Sequence, residues 1–114
     1  MNIQIFGTNK CKDTKKAVRF FKERNIKFQF IDMKEKGLSR GEYESIKKAV
    51  GGLDNMLDQD CRDKDALALV KYISPTSQDE KVLENQVVLK TPIVRNAKEA
   101  AIGHAPDVWK KWIG

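Results

Sequence analysis

The sequence predicts an α/β domain, and three observations carry that prediction. The first 32 of the 114 residues read as a strand, a helix and a second strand. A largely helical stretch then runs from about residue 39 to 86. The C-terminal part holds two short apolar runs around a tight turn, followed by one amphipathic helix. The element order is therefore βαβ, a helical insert over 39–86, and ββα, within a single domain spanning 1–114.

Ile3 to Phe6 is a short apolar run that stops at Gly7, as a strand does before a turn. From Asp13 to Arg24 the residues Thr14, Ala17, Val18 and Phe21 recur at helical spacing, Phe20 widens that face, and Asn25 marks a stop. Ile26, Phe28 and Phe30 then alternate with Lys27 and Gln29 up to Asp32, the period of a strand. A unit of this length makes its two strands parallel through a right-handed crossover. Ser39-Arg40-Gly41-Glu42 is a capping box, and Leu38 and Tyr43 stand at the positions of a hydrophobic staple. The helix it opens carries Tyr43, Ile46, Ala49 and Val50 and ends at Gly51-Gly52. Leu53 to Asp65 is irregular and polar. Ala66, Leu69, Val70 and Ile73 give the next helix its face before Ser74-Pro75 breaks it. Ser77-Gln78-Asp79-Glu80 reads as a second capping box, opening a helix with Val82 and Leu83. Val87 to Arg95 and Glu99 to Ile102 flank Asn96-Ala97-Lys98 as a hairpin, with Pro92 at the head of its first strand. Pro106 suits the first position of a last helix, which carries Val108, Trp109, Trp112 and Ile113 on its apolar face.

A chain 40% hydrophobic and 33% charged has the balance of a soluble globular protein. No apolar run approaches the ~20 residues of a membrane span, and Ile3 to Phe6 is too short for an export signal, so the expected place is the cytoplasm. Thiols stay reduced there, and two cysteines, Cys11 and Cys61, make no disulfide framework. His104 is the only histidine and no Cys/His cluster has metal spacing, so no metal site is expected. The net charge of +6 comes from 22 basic and 16 acidic residues interleaved as in Lys34-Glu35-Lys36, a pattern of solvated faces rather than a nucleic-acid surface. The exception is the local excess of lysine between Lys10 and Lys16. A monomer is the expected state.

Cys11 falls where the first loop turns into the first helix. Unpaired backbone N–H groups at a helix start stabilise an anion, and Lys10, Lys12, Lys15 and Lys16 crowd the same place. Both effects favour thiolate over thiol, the nucleophilic form of cysteine, and attract oxyanions. Thr14, three residues on, can offer its hydroxyl to that thiolate.

The order βαβ, helical insert, ββα is the thioredoxin-like arrangement, a four-stranded mixed sheet with helices on both faces. Three segments make the resemblance specific. Ile5-Phe6-Gly7-Thr8-Asn9-Lys10-Cys11-Lys12-Asp13-Thr14-Lys15-Lys16-Ala17 resembles the active-site segment of the glutaredoxin-linked arsenate reductase family, whose relatives include the Spx regulators and nitrogenase-associated proteins. Leu89-Lys90-Thr91-Pro92-Ile93-Val94-Arg95-Asn96 and Ile102-Gly103-His104-Ala105-Pro106-Asp107-Val108-Trp109 are similar to its second and closing signatures. The resemblance implies that Cys11 is the nucleophile, attacking an oxyanion or a disulfide. It implies Lys10, Lys12 and Thr14 as thiolate-stabilising groups, and Arg62, Thr91 and Pro92 as substrate-binding groups, with Thr91-Pro92 facing the thiol. Cys61 is implied as a possible resolving thiol, which requires Cα atoms within roughly 7 Å. Arginines that hold the oxyanion in such reductases are replaced here by Thr91 and by His104-Ala105, leaving Arg62 as the one in a matching loop. Arg95 reads as an exposed surface arginine. No cofactor is implied. The expected reductant is glutathione with glutaredoxin, or thioredoxin; neither nucleic acid nor membrane is an expected partner. The alternatives are an Spx-like regulator that binds RNA polymerase, and a catalytically silent relative.

Overall fold

A computed structural model describes residues 1–114 in full. Strand β1 (Ile3–Gly7) is followed by helix α1 (Lys12–Glu23) and strand β2 (Phe28–Asp32). Helices α2 (Arg40–Val50), α3 (Lys64–Tyr72) and α4 (Pro75–Glu84) form the middle of the chain. Strands β3 (Ile93–Asn96) and β4 (Glu99–Ile102) and helix α5 (Pro106–Ile113) complete it. The sheet runs β2-β1-β3-β4, parallel between β1 and β2 and antiparallel elsewhere. This is the mixed four-stranded sheet of the expected order.

Alternation along the strands builds two cores. Ile3 and Ile5 of β1 face one side, where they meet Ala17, Phe20 and Phe21 of α1 and Trp109 of α5. Phe6 and its partner Ile93 face the other side, among Tyr43, Ile46, Val70 and Val82 of the helical insert. Trp109 is fully buried against Phe20 and Phe21, with ring centroids 5.2 and 5.8 Å away. Burying aromatics and branched aliphatics of this size contributes about 1.5–3 kcal/mol each.

Local signals place most boundaries. Asn25 ends α1 in the left-handed region at φ 56°. The Ser39–Glu42 capping box forms in both directions, and Gly51 closes α2 at φ 87°. Two expectations are corrected. The box at Ser77–Glu80 does not form: α4 already starts at Pro75, so Ser77 lies inside its first turn. Proline's fixed φ suits a first helical position, and that preference outweighs the capping pattern two residues later. In α3 the buried residues are Ala66, Leu67 and Val70, while Leu69 is 45% exposed. The α3 face is rotated toward Leu67 because α3 packs on α4 and on the turn at 86–88.

Tertiary side-chain bonds tie the insert together. The Tyr43 hydroxyl donates to Asp79 Oδ1 at 2.6 Å, and Lys47 Nζ donates to the same carboxylate at 2.9 Å, joining α2 to α4. Burial and the Asp79 carboxylate push the Tyr43 phenol well above its usual range, while the bonds from Tyr43 and Lys47 hold Asp79 below its own. Gln86 accepts from the Leu38 N–H at 2.7 Å and donates to the Leu38 carbonyl at 2.9 Å. It thereby pins the link between β2 and α2 to the 3-10 turn that precedes β3.

Candidate active site

The site lies at the C-terminal end of β1. The chain leaves Gly7, turns through Thr8 to Lys10, and enters α1 with Cys11 as the N-cap residue. The Cys11 N–H donates to the Thr8 carbonyl at 3.2 Å, and the Cys11 carbonyl accepts from the Lys15 N–H at 3.1 Å, fixing the turn and starting the helix. Gly7 has a packing reason. A Cβ on Gly7 would stand 2.4 Å from Thr14 Oγ1, so only glycine lets the Thr14 side chain lie against the end of the strand.

Opposite Cys11 stands the approach to β3. Phe6 pairs with Ile93, which brings the preceding Thr91-Pro92 beside the end of β1. The Thr91-Pro92 bond is cis, and the Gly103 N–H donates to the Pro92 carbonyl at 2.7 Å. The Cys11 thiol donates to the Thr91 carbonyl at 3.5 Å. The segment therefore faces the sulfur.

Cys11 is half-buried, and its pKa is lowered. Partial burial pushes it up. The Thr14 and Thr91 side chains and the backbone groups of Thr14 and Asp13, which can donate to a thiolate, outweigh that and bring it down. No cap bond reaches the sulfur, and the Thr14 hydroxyl, 1% exposed, has no partner. Ionisation of Cys11 supplies the acceptor this buried hydroxyl lacks. Lys10 and Lys12 are not among the main groups that lower the pKa. Both are exposed, where water screens an ammonium charge. Hydroxyl and backbone donors lead the groups that lower it, ahead of these two lysines.

A cleft of about 290 Å³ reaches Thr8 and Thr91, two residues hydrogen-bonded to Cys11, while Cys11 itself does not line it. Its walls are Thr8 and Thr91, which flank Cys11, together with Met33, Lys34, Asp58 and Val87, closed by Gln86 and Leu89. Val87 is 58% exposed, so apolar surface reaches the rim. Met33, Lys34, Asp58 and Val87 come from three separate segments, and none of the four stands out in the sequence as a site residue. No repeat or motif marks them; backbone bonds from the Met33 N–H to the Gly7 carbonyl and from the Asp58 N–H to the Val88 carbonyl, with the Gln86 clasp on Leu38, bring them together.

The remaining site candidates are dispersed. Arg62 is exposed on the turn before α3 and does not line the cleft. Cys61 is 3% exposed within the core of the insert, and its thiol donates to the Val87 carbonyl at 3.3 Å. Both cysteines are free thiols. Arg95 is half-buried rather than a free surface arginine. It donates to Gln4 Oε1 at 3.1 Å and to Ser45 Oγ at 3.2 Å, because its β3 position pairs with Gln4 beneath α2. His104 is exposed, with its ring edge-on to Trp109 at 5.7 Å. No three His, Cys, Asp or Glu side chains converge as metal ligands would, and no helix is long and apolar enough to cross a membrane.

No protein-family model matches the chain. No curated protein matches it either. Solved structures do. An arsenate reductase from Vibrio cholerae superposes with a TM-score of 0.82 at 19% identity, over 97% of each chain. A Bacteroides fragilis protein described as ArsC-family-related gives 0.83 at 17% identity, also over 97% of each. A glutaredoxin from Archaeoglobus fulgidus gives 0.50 at 14% identity, over 97% of this chain and 84% of its own. Identities of this size establish architecture: the chain has the thioredoxin-like fold in the form seen in arsenate reductase structures of the ArsC family.

Proposed function

We propose that the protein is a thiol-dependent oxidoreductase of the glutaredoxin-linked arsenate reductase type, with the Cys11 thiolate as its nucleophile. The observation that carries this is the position of the sulfur. It caps α1, faces Thr91-Pro92, and has hydroxyl and N–H donors arranged to hold it ionised. In the first step the thiolate attacks an electrophilic centre. At arsenate an As–S bond forms and one As–O bond breaks, its oxygen leaving as water. A donor thiol then attacks the Cys11 sulfur, and the As–S electron pair passes to arsenic as arsenite departs. At a disulfide the target is one of its sulfurs. With a disulfide, one S–S bond forms to Cys11 and one breaks, and the departing sulfur leaves as thiolate and takes a proton from water. Glutathione, glutaredoxin or thioredoxin then attacks the Cys11 adduct and restores the thiolate. Thr14 and Thr91 orient the sulfur, and Pro92 shapes the wall opposite it.

Of the two substrates, the cleft supports the disulfide. Lys34 and Asp58 are its only charged lining groups, and they offset one another. Arsenate would there meet a carboxylate and no guanidinium, whereas Met33, Val87 and Leu89 offer apolar surface to an organic disulfide. Single-turnover assays with a low-molecular-weight disulfide and with arsenate, each with glutathione and glutaredoxin, test the proposal. Cys11→Ser should reduce disulfide turnover by at least about a thousandfold. Equal turnover in wild type and Cys11→Ser would refute it.

A further inference from the structure

Between residues 10 and 22 the chain carries six cations, Lys10, Lys12, Lys15, Lys16, Arg19 and Lys22, and one acid, Asp13. Asp13 pairs with Lys16 at 3.8 Å. Lys15, Arg19 and Lys22 have no carboxylate partner, and Glu23 on the same helix pairs with none of them. These three side chains edge a groove of about 330 Å³ that runs along α1, floored by Val18 and Phe30. At one end the groove reaches Thr8 and Asn9 of the Cys11 turn. Thr8 also lines the cleft that reaches Thr91, so groove and cleft share that residue.

We infer that this groove docks an acidic polypeptide whose disulfide Cys11 attacks. The inference rests on the thiol-oxidoreductase reading and names the class of its substrate. Seven residues of helix place Lys15 and Lys22 about 10 Å apart, the length of roughly three to four extended residues. Carboxylates at alternate positions of an extended segment repeat every ~6.8 Å, close to the ~6 Å rise from Lys15 to Arg19. The Phe30 and Val18 floor takes an apolar side chain between them. A nucleic acid would meet the same charge, but it carries no sulfur for Cys11, and a site shared at Thr8 with the thiol cleft favours a partner that does. The step balances as before: the peptide sulfur joins Cys11, and the second sulfur leaves as thiolate and is protonated by water.

The test uses three peptides of equal length, each with one cysteine activated as a 2-thiopyridyl disulfide and flanked by Glu, Gln or Lys. The rate of thiopyridone release is measured with the full chain, at low and high salt. The Glu peptide should react about tenfold or more faster than the Lys peptide at low salt, and the gap should close at high salt. The triple variant Lys15→Glu, Arg19→Glu, Lys22→Glu should reverse the order. A charge-matched control, Lys48→Glu, Lys64→Glu, Lys98→Glu, should keep it. Alkylation by neutral iodoacetamide, which reads the thiol alone, separates the two levels. If Cys11 alkylates as an activated thiol while the three peptides react alike, the docking inference fails and the enzyme reading stands. If neither peptides nor iodoacetamide find an activated Cys11, both fail. A preference for Glu that the control abolishes equally, or tighter binding of a single-stranded oligonucleotide than of the Glu peptide, would also overturn it.

Discussion

Cys11 and Cys61 carry the same thiol in opposite surroundings. Cys11 ends a turn, half-open to solvent, with the Thr14 and Thr91 hydroxyls and two backbone N–H groups around its sulfur. Cys61 is packed among Leu57, Leu67 and Val88 of the insert core, and its sulfur faces backbone carbonyls, at 3.3 Å for Val87 and 3.7 Å for Asp63. The Cys11 thiol also donates to one carbonyl, that of Thr91 at 3.5 Å, but its sulfur has hydroxyl and N–H groups beside it as well, and these favour a thiolate where a carbonyl repels one. Both cysteines sit in charged sequence, Lys10-Cys11-Lys12 and Asp60-Cys61-Arg62, and in both the groups that touch the sulfur come from elsewhere in the fold as well. Reactivity here belongs to whichever dipoles the fold turns toward the sulfur.

The widest separation should come from differential alkylation. At neutral pH in native protein, iodoacetamide should modify Cys11 at least about a thousandfold faster than Cys61, because the latter reacts only from opened states several kcal/mol above the native one. Peptide mapping of the modified chain measures both rates, and comparable native rates would erase the contrast. Next in size is the hydroxyl held against Gly7. Thr14→Val removes a donor to the thiolate and should slow Cys11 alkylation at neutral pH by about five- to tenfold, with Cys61 unaffected.

The same comparison shows what the sequence carried. The strands, α1, α2 and α5 were legible because their apolar periods and caps are local, as at Ser39–Glu42 and Gly51. The start of α4 was misread because a capping pattern at Ser77 competes with Pro75, and only the packed helix decides. Cys11 was legible as the thiol at a helix start. The reason for its low pKa was only half legible. Residues adjacent on a helix diverge in direction, so Lys10 and Lys12 point to solvent, whereas the third residue on returns beside the cap, which is where Thr14 stands. Met33, Asp58 and Val87 carry no pattern that joins them; the cleft exists only once β1, the turn at 86–88 and the link after β2 meet. Arg95 looked solvated because its partners Gln4 and Ser45 are 91 and 50 residues away.

Two smaller effects sharpen the contrast. Cys61→Ala should lower stability by about 1–2 kcal/mol through the small void it leaves, read by thermal or urea unfolding, with disulfide turnover within twofold of wild type. A matching loss of turnover would instead bring Cys61 into the reaction as a resolving thiol. The smallest change is expected from Lys10→Gln with Lys12→Gln. Their screened charges should shift the Cys11 alkylation rate by less than about twofold, and a larger fall would return these ammonium groups to the account.

The pH dependence of Cys11 alkylation, followed in Cys61→Ala protein, tests the central claim most directly. A thiol whose pKa is lowered on folding adds stability that is fully present above the unfolded pKa of about 8.5 and is lost as pH falls through the folded value. The rate should therefore rise to its plateau with a midpoint below about 8.5, and the stability of this protein relative to its Cys11→Ser variant should increase over the same window. A midpoint at or above that of a free cysteine, with no such gain in stability, would contradict the account.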